Sequence, residues 1–414
     1  MTYSQLASSL FNTITSGYPA GARKDWVVDT YPDISIKIAE RNLRSDAGME
    51  SLETKIRTGT QKIDQQLNKS LMSGSFKCAL TEFLLNEWSK PEYAAQLGQQ
   101  ALFVTVGERC FRLKANDQLT EVLKAEVAEL RCTHEEADTR LLLHAAHAAD
   151  HGAPAVIIKS PDSDVAVIAL SVCHRISSQL IFRTGTQQRT RYLDLTAMAH
   201  TLGCDICSAL PGYHAFSGCD STSAFTGRGK LSGLKLLKIE NEFRATMNSI
   251  GQSFSLSVAE LARGEEAICA LYGKKQHSRV NELRHEMFGA HTTDPCRLLP
   301  CQNAAEFHLR RANYQAAIWR RCLENCPHVP TPHGHGWDVA GNEITIKWLD
   351  VSPAPTSVME CVSCRCLRCA DRRCSCRQNQ LSCTRACRCK PDQCGNSKEA
   401  IVDPLESDDE TDDE

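Results

Sequence analysis

Ten cysteines fall within residues 361–394, at Cys361, Cys364, Cys366, Cys369, Cys374, Cys376, Cys383, Cys387, Cys389 and Cys394. They restrict what this chain can fold into more than any other feature. Apart from cysteine, the segment offers only Val362, Leu367 and Leu381 as sizeable apolar residues. So few apolar groups cannot build a core, and the folding free energy has to come from another source. Thiolates at C-x-C and C-x2-C spacing can share one tetrahedral zinc ion or bridge two, and metal binding then drives the fold. Disulfides are the other use of clustered cysteines, but they belong to oxidising compartments. The first residues lack a basic segment followed by a continuous apolar stretch. No window approaches the roughly 20 apolar residues of a membrane helix. The expectation is a soluble intracellular protein with structural zinc. The cysteines outside the cluster, from Cys78 to Cys326, then read mostly as small buried apolar residues.

Charge is distributed unevenly. Between Cys361 and Cys394 stand eight basic residues, Arg365, Arg368, Arg372, Arg373, Arg377, Arg385, Arg388 and Lys390. Against them are Asp371 and Asp392, so eight minus two leaves +6. That density is a phosphate-binding footprint, open to DNA or RNA on the residues alone. The last nine residues carry seven acids, the composition of a disordered tail that would compete with DNA for the patch. The cysteine pattern resembles the tesmin-type CXC domain, in which nine cysteines hold three zinc ions and an Asn follows the last. Cys364, Cys366, Cys369, Cys374, Cys376, Cys383, Cys387, Cys389 and Cys394 match in order, and Asn396 follows. Cys361 is additional, the Cys366–Cys369 interval is shorter and the Cys389–Cys394 interval longer than that family's. The resemblance implies zinc, DNA binding and a nuclear location.

Upstream, the pattern alternates between helix and strand. Residues 1–25 are weakly patterned, and Gly17, Pro19 and Gly21 mark a loop. Short apolar runs at Trp26–Val28, Leu102–Val106, Ala155–Ile158, Val165–Leu170 and Leu180–Phe182 read as strands. Residues 77–88, 135–149 and 193–200 read as helices, as does a segment capped by Ser35 and running to about Arg44. This alternation predicts an α/β fold with a mainly parallel sheet flanked by helices. Helices over 256–272 and 303–325 follow, and a short strand at Ile344–Trp348. The expected organisation is an α/β domain over 1–235, a helical segment over 236–326 and a linker over 327–358. The zinc cluster over 359–396 and the acidic tail over 397–414 complete it.

Four acidic clusters recur at element ends: Asp29; Glu135, Glu136 and Asp138 in H-E-E-A-D; Asp162 and Asp164 in S-P-D-S-D; and Asp220 in G-C-D. In an open α/β sheet, residues just past strand C-termini converge on one crevice. In an extended segment, Asp162 and Asp164 point to the same side. Converging carboxylates suit Mg²⁺ or Mn²⁺, and two such ions can activate water for attack on a phosphodiester. Acids at a helix start also complement its dipole, and Asp-Ser-Asp is a common turn, so both readings stay open on the residues alone.

The order E-A-D, S-x-D-x-D, G-C-D resembles the PIN-like nucleases of the flap endonuclease (XPG) type. That resemblance implies metal ligation by Glu136, Asp138, Asp162, Asp164 and Asp220. Asp29, with Lys37 and Arg41 behind it, is similar to the family's second N-terminal motif. Phe225 to Lys230 looks like the Gly-rich start of its helix–two-turn–helix, so Lys37, Arg41 and Lys230 are expected at phosphate. The family's first strand carries a further Asp that residues 1–25 do not supply, so the chain is expected to start inside the domain. The stretch from His134 to Lys230 also resembles a set of uncharacterised animal proteins with H-E-E-A-D-T-R, S-P-D-[ST]-D-V and H-A-[FL]-[ST]-G-C-D. The expected function is a metal-dependent nuclease with a zinc-cluster DNA anchor, or the same fold as an inactive DNA-binding scaffold.

Overall fold

The structure is a computed structural model. It describes residues 1–352 apart from 18, 20, 33–34, 38–55, 65–66, 72, 187–188, 290–297 and 342, and parts of 364–396. Packing divides the chain into two units, Met1–Trp348 and Leu349–Glu414. In the first, two small mixed sheets and a separate antiparallel hairpin carry the described strands. Strand β1 (Arg23–Trp26) pairs parallel with β2 (Ala101–Val106). Antiparallel β3 (Arg109–Ala115) and β4 (Val122–Glu126) extend that sheet. In the second sheet β5 (Ala155–Lys159) pairs parallel with β6 (Gln179–Thr184), which pairs antiparallel with β7 (Arg191–Asp194). The expected mainly parallel sheet is therefore corrected to two mixed sheets, each with one parallel pair among the described residues. The β3–β4 hairpin escaped notice because its strands are rich in Arg, Lys and Glu, and β4 is mostly exposed at an edge.

Gly17 and Gly21 lie in the expected loop, both at positive φ, and the weakly patterned residues before it form a helix. Helix α1 (Tyr3–Thr15) is closed by a capping box between Thr2 and Gln5. Its buried residues Tyr3, Ala7, Phe11 and Thr15 recur every four positions. With so few large apolar groups, this stripe is weak in sequence. It packs on α2 (Gly74–Trp88), where Phe11 and Trp88 are fully buried and the Trp88 indole donates to the Ala7 carbonyl.

A larger correction concerns Val165–Leu170, expected as a strand. It lies in helix α4 (Ser163–Val172), capped by Asp162, whose side chain accepts from the Asp164 N–H. Val165, Ile168, Ala169, Leu170 and Val172 are all buried, so apolar residues surround most of the helix. A helix buried on most sides has no polar stripe to reveal its period. The preceding helix α3 (Ala137–Asp150) matches its expected place. After β7 come α5 (Leu195–Leu202) and α6 (Cys204–Ser217), the latter absent from the sequence expectation. Helices α7 (Lys230–Ile239), α8 (Asn241–Ser249), α9 (Val258–Leu271), α10 (Val280–Gly289) and α11 (Gln302–Arg320) complete the series.

The expected boundary near residue 235 does not divide the packing. Leu142, Ile168 and Phe216 share one core with Phe243, Ile268 and Leu309. The 327–358 segment is not simply a linker, since it contains the hairpin β8 (Trp337–Ala340) and β9 (Glu343–Ile346). Trp337 packs against Tyr314 of α11. Where α6 meets α8, a Cβ on Gly212 would lie 2.1 Å from the Met247 carbonyl oxygen. Gly212→Ala is expected to destabilise the first unit by about 2–3 kcal/mol through forced separation of the helices, read as a lower urea midpoint. No helix among the described residues is long and apolar enough to cross a membrane.

Candidate metal centres

The acids expected from sequence are supplied by different elements. Asp29 follows the C-terminal end of β1, and its carboxylate accepts from the Ala137 N–H at 2.9 Å, at the start of α3. The Thr30 N–H and hydroxyl donate to the carbonyls of Glu135 and His134, at 2.7 and 2.9 Å. These bonds stitch the exit of β1 to the H-E-E-A-D segment. Glu136 is the N-cap residue of α3, and Asp138 lies in its first turn. Asp162 follows β5 and caps α4, with Asp164 in that helix's first turn. The extended Asp-Ser-Asp geometry expected from sequence is thus replaced by a helix cap. Asp220 lies just past α6, beyond Gly218 at φ 112°. A Cβ at Gly218 would also sit 2.9 Å from the Ala224 Cα, so glycine is needed there on both counts.

Electrostatics bring these groups together. Burial pushes the Glu136 carboxyl up to about 8, with Asp138, Glu135 and Asp29 adding to the rise and Lys37 opposing it. Burial likewise raises Asp138 to about 7, and Asp162, Asp29 and Asp164 add to the effect. Asp162 is raised by burial and by the charges of Asp164 and Asp220, against the hydrogen bond from the Asp164 N–H. Glu136, Asp138 and Asp162 are thus each raised first by burial and then by the charges of other acids in the set. Asp164 moves the other way: burial is outweighed by the hydrogen bond and charge of His214, which hold it below the usual range.

The basic residues lie within this network. Lys37 Nζ is 3.6 Å from Glu136 Oε2 and 3.5 Å from Asp220 Oδ2. Lys230 Nζ is 2.9 Å from His214 Nδ1, while His214 Nε2 is 2.8 Å from Asp164 Oδ1. Lys230, expected at phosphate, is thereby tied to the imidazole that holds Asp164. His214 is a site residue that sequence reasoning did not assign, although it opens the H-A-F-S-G-C-D string. Arg140 closes H-E-E-A-D-T-R and is fully buried, donating to the carbonyls of Gly107 and Arg109 at the β2–β3 turn. Asp25, in β1 itself, is paired with Arg23 and His144. Arg41 lies outside the described residues.

In the second unit the interior is sulfur. Cys364, Cys369, Cys374, Cys376, Cys383, Cys387, Cys389 and Cys394 are buried, Cys366 is half-buried, and Leu367 and Leu381 are exposed. Three sets of four thiols converge: Cys364, Cys366, Cys369 and Cys374; Cys364, Cys369, Cys383 and Cys389; and Cys364, Cys376, Cys383 and Cys387. Zinc–sulfur bonds of about 2.3 Å in a tetrahedron require sulfurs about 3.8 Å apart. The Cys364–Cys383, Cys364–Cys389 and Cys374–Cys383 pairs each lie at 3.8 Å, and Cys376–Cys387 at 3.6 Å. Cys364 belongs to all three sets and Cys369 and Cys383 to two each, as bridging thiolates would. Outer hydrogen bonds support the sulfurs: the Cys364 N–H donates to Cys387 Sγ at 3.4 Å. Asn396 donates to Cys394 Sγ at 3.4 Å and Cys383 Sγ at 3.3 Å. Such bonds orient ligands in metal sites.

Arg365, Arg373, Arg377 and Arg388 are exposed around the cluster. Arg377 donates to the Gly395 carbonyl, which fixes part of the fold as well. Cys361, Arg368, Arg372, Arg385, Lys390 and the acidic tail lie outside the described residues.

Fold and site together define a mixed α/β protein with a C-terminal cysteine cluster able to hold a metal ion such as zinc. Comparison of the chain with protein-family models, with curated proteins and with solved structures finds no match.

Proposed function

We propose that the chain is a DNA-associated protein whose first unit is a PIN-like, divalent-metal-dependent nuclease and whose cysteine cluster is a CXC-type zinc anchor. The observation that carries this reading is that Glu136, Asp138 and Asp162, from separate chain segments, are raised by burial and further by the charges of other acids in the set. Carboxyl groups held partly protonated by burial and by neighbouring acids are relieved of that cost when Mg²⁺ or Mn²⁺ binds, and so fit hard cations. When bound, such ions would polarise a phosphodiester and activate water. The chain's own residues hold the geometry: Asp29 and Asp162 fix the two helix starts, and His214 orients Asp164. Lys37 is poised to move from carboxylate to phosphate. The exposed arginines of the cluster contribute salt-sensitive contacts to the DNA backbone, consistent with a nuclear protein.

A cleavage assay on labelled single-stranded, duplex and flap substrates, DNA and RNA, with Mn²⁺ tests this. Asp162→Asn/Asp164→Asn is expected to lower cleavage at least 1,000-fold, on the order of 4 kcal/mol of transition-state stabilisation, with the fold retained at a somewhat lower thermal midpoint because the Asp164–His214 ion pair is lost. Cleavage retained in that variant would rule the site out. A second reading, an inactive fold used as a DNA-binding scaffold, is favoured by Lys37. Its ammonium sits between Glu136 and Asp220, neutralising the acids where a cation would bind. If Mn²⁺ fails to bind to the wild type but binds to Lys37→Met, the scaffold reading holds.

A further inference from the structure

We propose that the solvent-facing side of the β5–β6–β7 sheet is a track for single-stranded nucleic acid that leads to the acidic cluster. This deepens the nuclease reading by naming its substrate class, and rests on it for where the strand ends. Ile158, Leu180 and Phe182 are buried on the core side of this sheet. Successive side chains of a strand alternate between faces, so Ile157, Lys159, Ile181 and Arg183 point outwards. Register partners share a face, which sets Lys159, Arg183 and Tyr192 in one row across the three strands. With strands about 4.8 Å apart, the row spans about 10 Å. Tyr192 is 58% exposed and Ile157 43%, and Lys159 is exposed as well. Helices commonly cover both faces of parallel strands; here an aromatic ring, two cations and an apolar floor face solvent.

The chemistry of this face selects its occupant. Arg183 Cζ lies 5.6 Å from the centroid of the Tyr192 ring, so cation and aromatic stand side by side. Arg191, exposed next to Tyr192, adds positive charge. Among the described residues of these strands, the one acid facing this side is Asp194, the register partner of Ile181. Both its oxygens are engaged: Oδ1 accepts from the Ala197 N–H at 2.9 Å and Oδ2 from Gln179 at 2.7 Å. Cations along a backbone path, with an aromatic ring for the bases, are the arrangement that holds single strands. Bases in a duplex are stacked on one another and offer Tyr192 no face. A second copy of this chain fits less well, because two-fold pairing would bring two cationic faces together. The row also abuts the acids. Lys159 is the last residue of β5, and Asp162 caps α4 just beyond it. The Ser160 N–H donates to the Arg183 carbonyl at 3.2 Å, and the Asp162 N–H to the Ser160 hydroxyl at 3.0 Å. The turn from the row to Asp162 is therefore fastened to β6. Phosphates held at Arg183 and Lys159 carry the backbone on toward Asp162 and Asp164.

The test uses the full-length protein and labelled single-stranded and duplex oligonucleotides, DNA and RNA, followed by fluorescence anisotropy without added Mn²⁺. The cysteine cluster is present in every arm, so its phosphate contacts cancel in the comparison. Tyr192→Ala and Lys159→Gln both replace exposed side chains. Tyr192→Ala is expected to weaken single-strand binding at least about fivefold, the lower end of what one base–aromatic stack contributes, with duplex binding unchanged. Lys159→Gln is expected to lower the slope of log affinity against log salt for single strands by about 0.7, the share of one phosphate contact. Single strands carrying bromouracil are expected to photo-cross-link to Tyr192. Single-strand affinity untouched by Tyr192→Ala, or a loss equal for duplex and single strand, overturns the track. Cleavage that is abolished by Asp162→Asn/Asp164→Asn but equal in wild type and Tyr192→Ala removes the track and leaves the nuclease reading standing. Single-strand binding that depends on Tyr192 in a protein that cleaves nothing with Mn²⁺ upholds the track and overturns the nuclease reading instead.

Discussion

Removing metal from the second unit is expected to unfold residues 364–396 while the first unit keeps its melting transition. The reason is the composition of that interior. The buried groups are thiols, and the two larger apolar side chains described there, Leu367 and Leu381, are exposed. Without metal, the thiols provide neither a hydrophobic core nor disulfides, since no disulfide joins the described cysteines. Structural zinc contributes about 10–16 kcal/mol in small domains of this kind, far more than the few kcal/mol that separate folded from unfolded states. Cysteines should differ in cost. Cys364→Ala removes a ligand common to all three four-thiol sets, whereas Cys366→Ala touches one. Cobalt substitution followed by visible absorption would count the intact tetrahedral sites. Cys364→Ala is expected to lose most of the signal and Cys366→Ala about a third of it, if each set marks one ion. Equal losses from both variants would contradict a shared Cys364.

The part of the metal-free first unit's stability that Glu136 and Asp138 contribute is expected to fall as pH rises from about 4 to 8, against the opposite trend of His147 and His308, which burial lowers to about 4, and millimolar Mn²⁺ is expected to restore it. The sign follows from where the protons are held. Glu136 titrates near 8 in the folded protein against an ordinary 4.5, and Asp138 near 7 against 3.8. Between those limits the folded state binds more protons than the unfolded one, so raising pH favours unfolding. The contribution is intact below the ordinary values and lost as pH passes through the raised ones. For Glu136 alone the loss is on the order of 4 kcal/mol. Thermal melts from pH 4.5 to 8.5, with and without Mn²⁺, read this directly. Asp138→Asn is expected to flatten the pH dependence and to melt higher than wild type at pH 8 without metal. That is the signature of acids gathered for a ligand at the expense of stability. Identical pH dependence in wild type and Asp138→Asn would show that Asp138 does not hold its proton to higher pH in the folded state.

Sequence alone determined the features that depend on local spacing. The cysteine cluster was legible because C-x-C and C-x2-C steps limit which sulfurs can meet, whatever the rest of the chain does. Helix α3 was legible because its apolar residues recur on one face, and β2, β5 and β6 because they are short apolar runs. The acids were visible as residues, since Asp29 and Asp162 each follow a strand. Their grouping was decided only in three dimensions. Asp29 caps a helix more than 100 residues away by accepting from Ala137, and the Lys230–His214–Asp164 chain joins α7, α6 and α4. Tertiary burial also hid what propensity would have shown. Helix α4 is apolar on most sides, so its period vanished, while α1 buries only four positions, which find their partners in α2 and Tyr93. Local periodicity and ligand spacing are written in neighbouring residues; burial and the pairing of charged groups are properties of groups that only the fold makes neighbours.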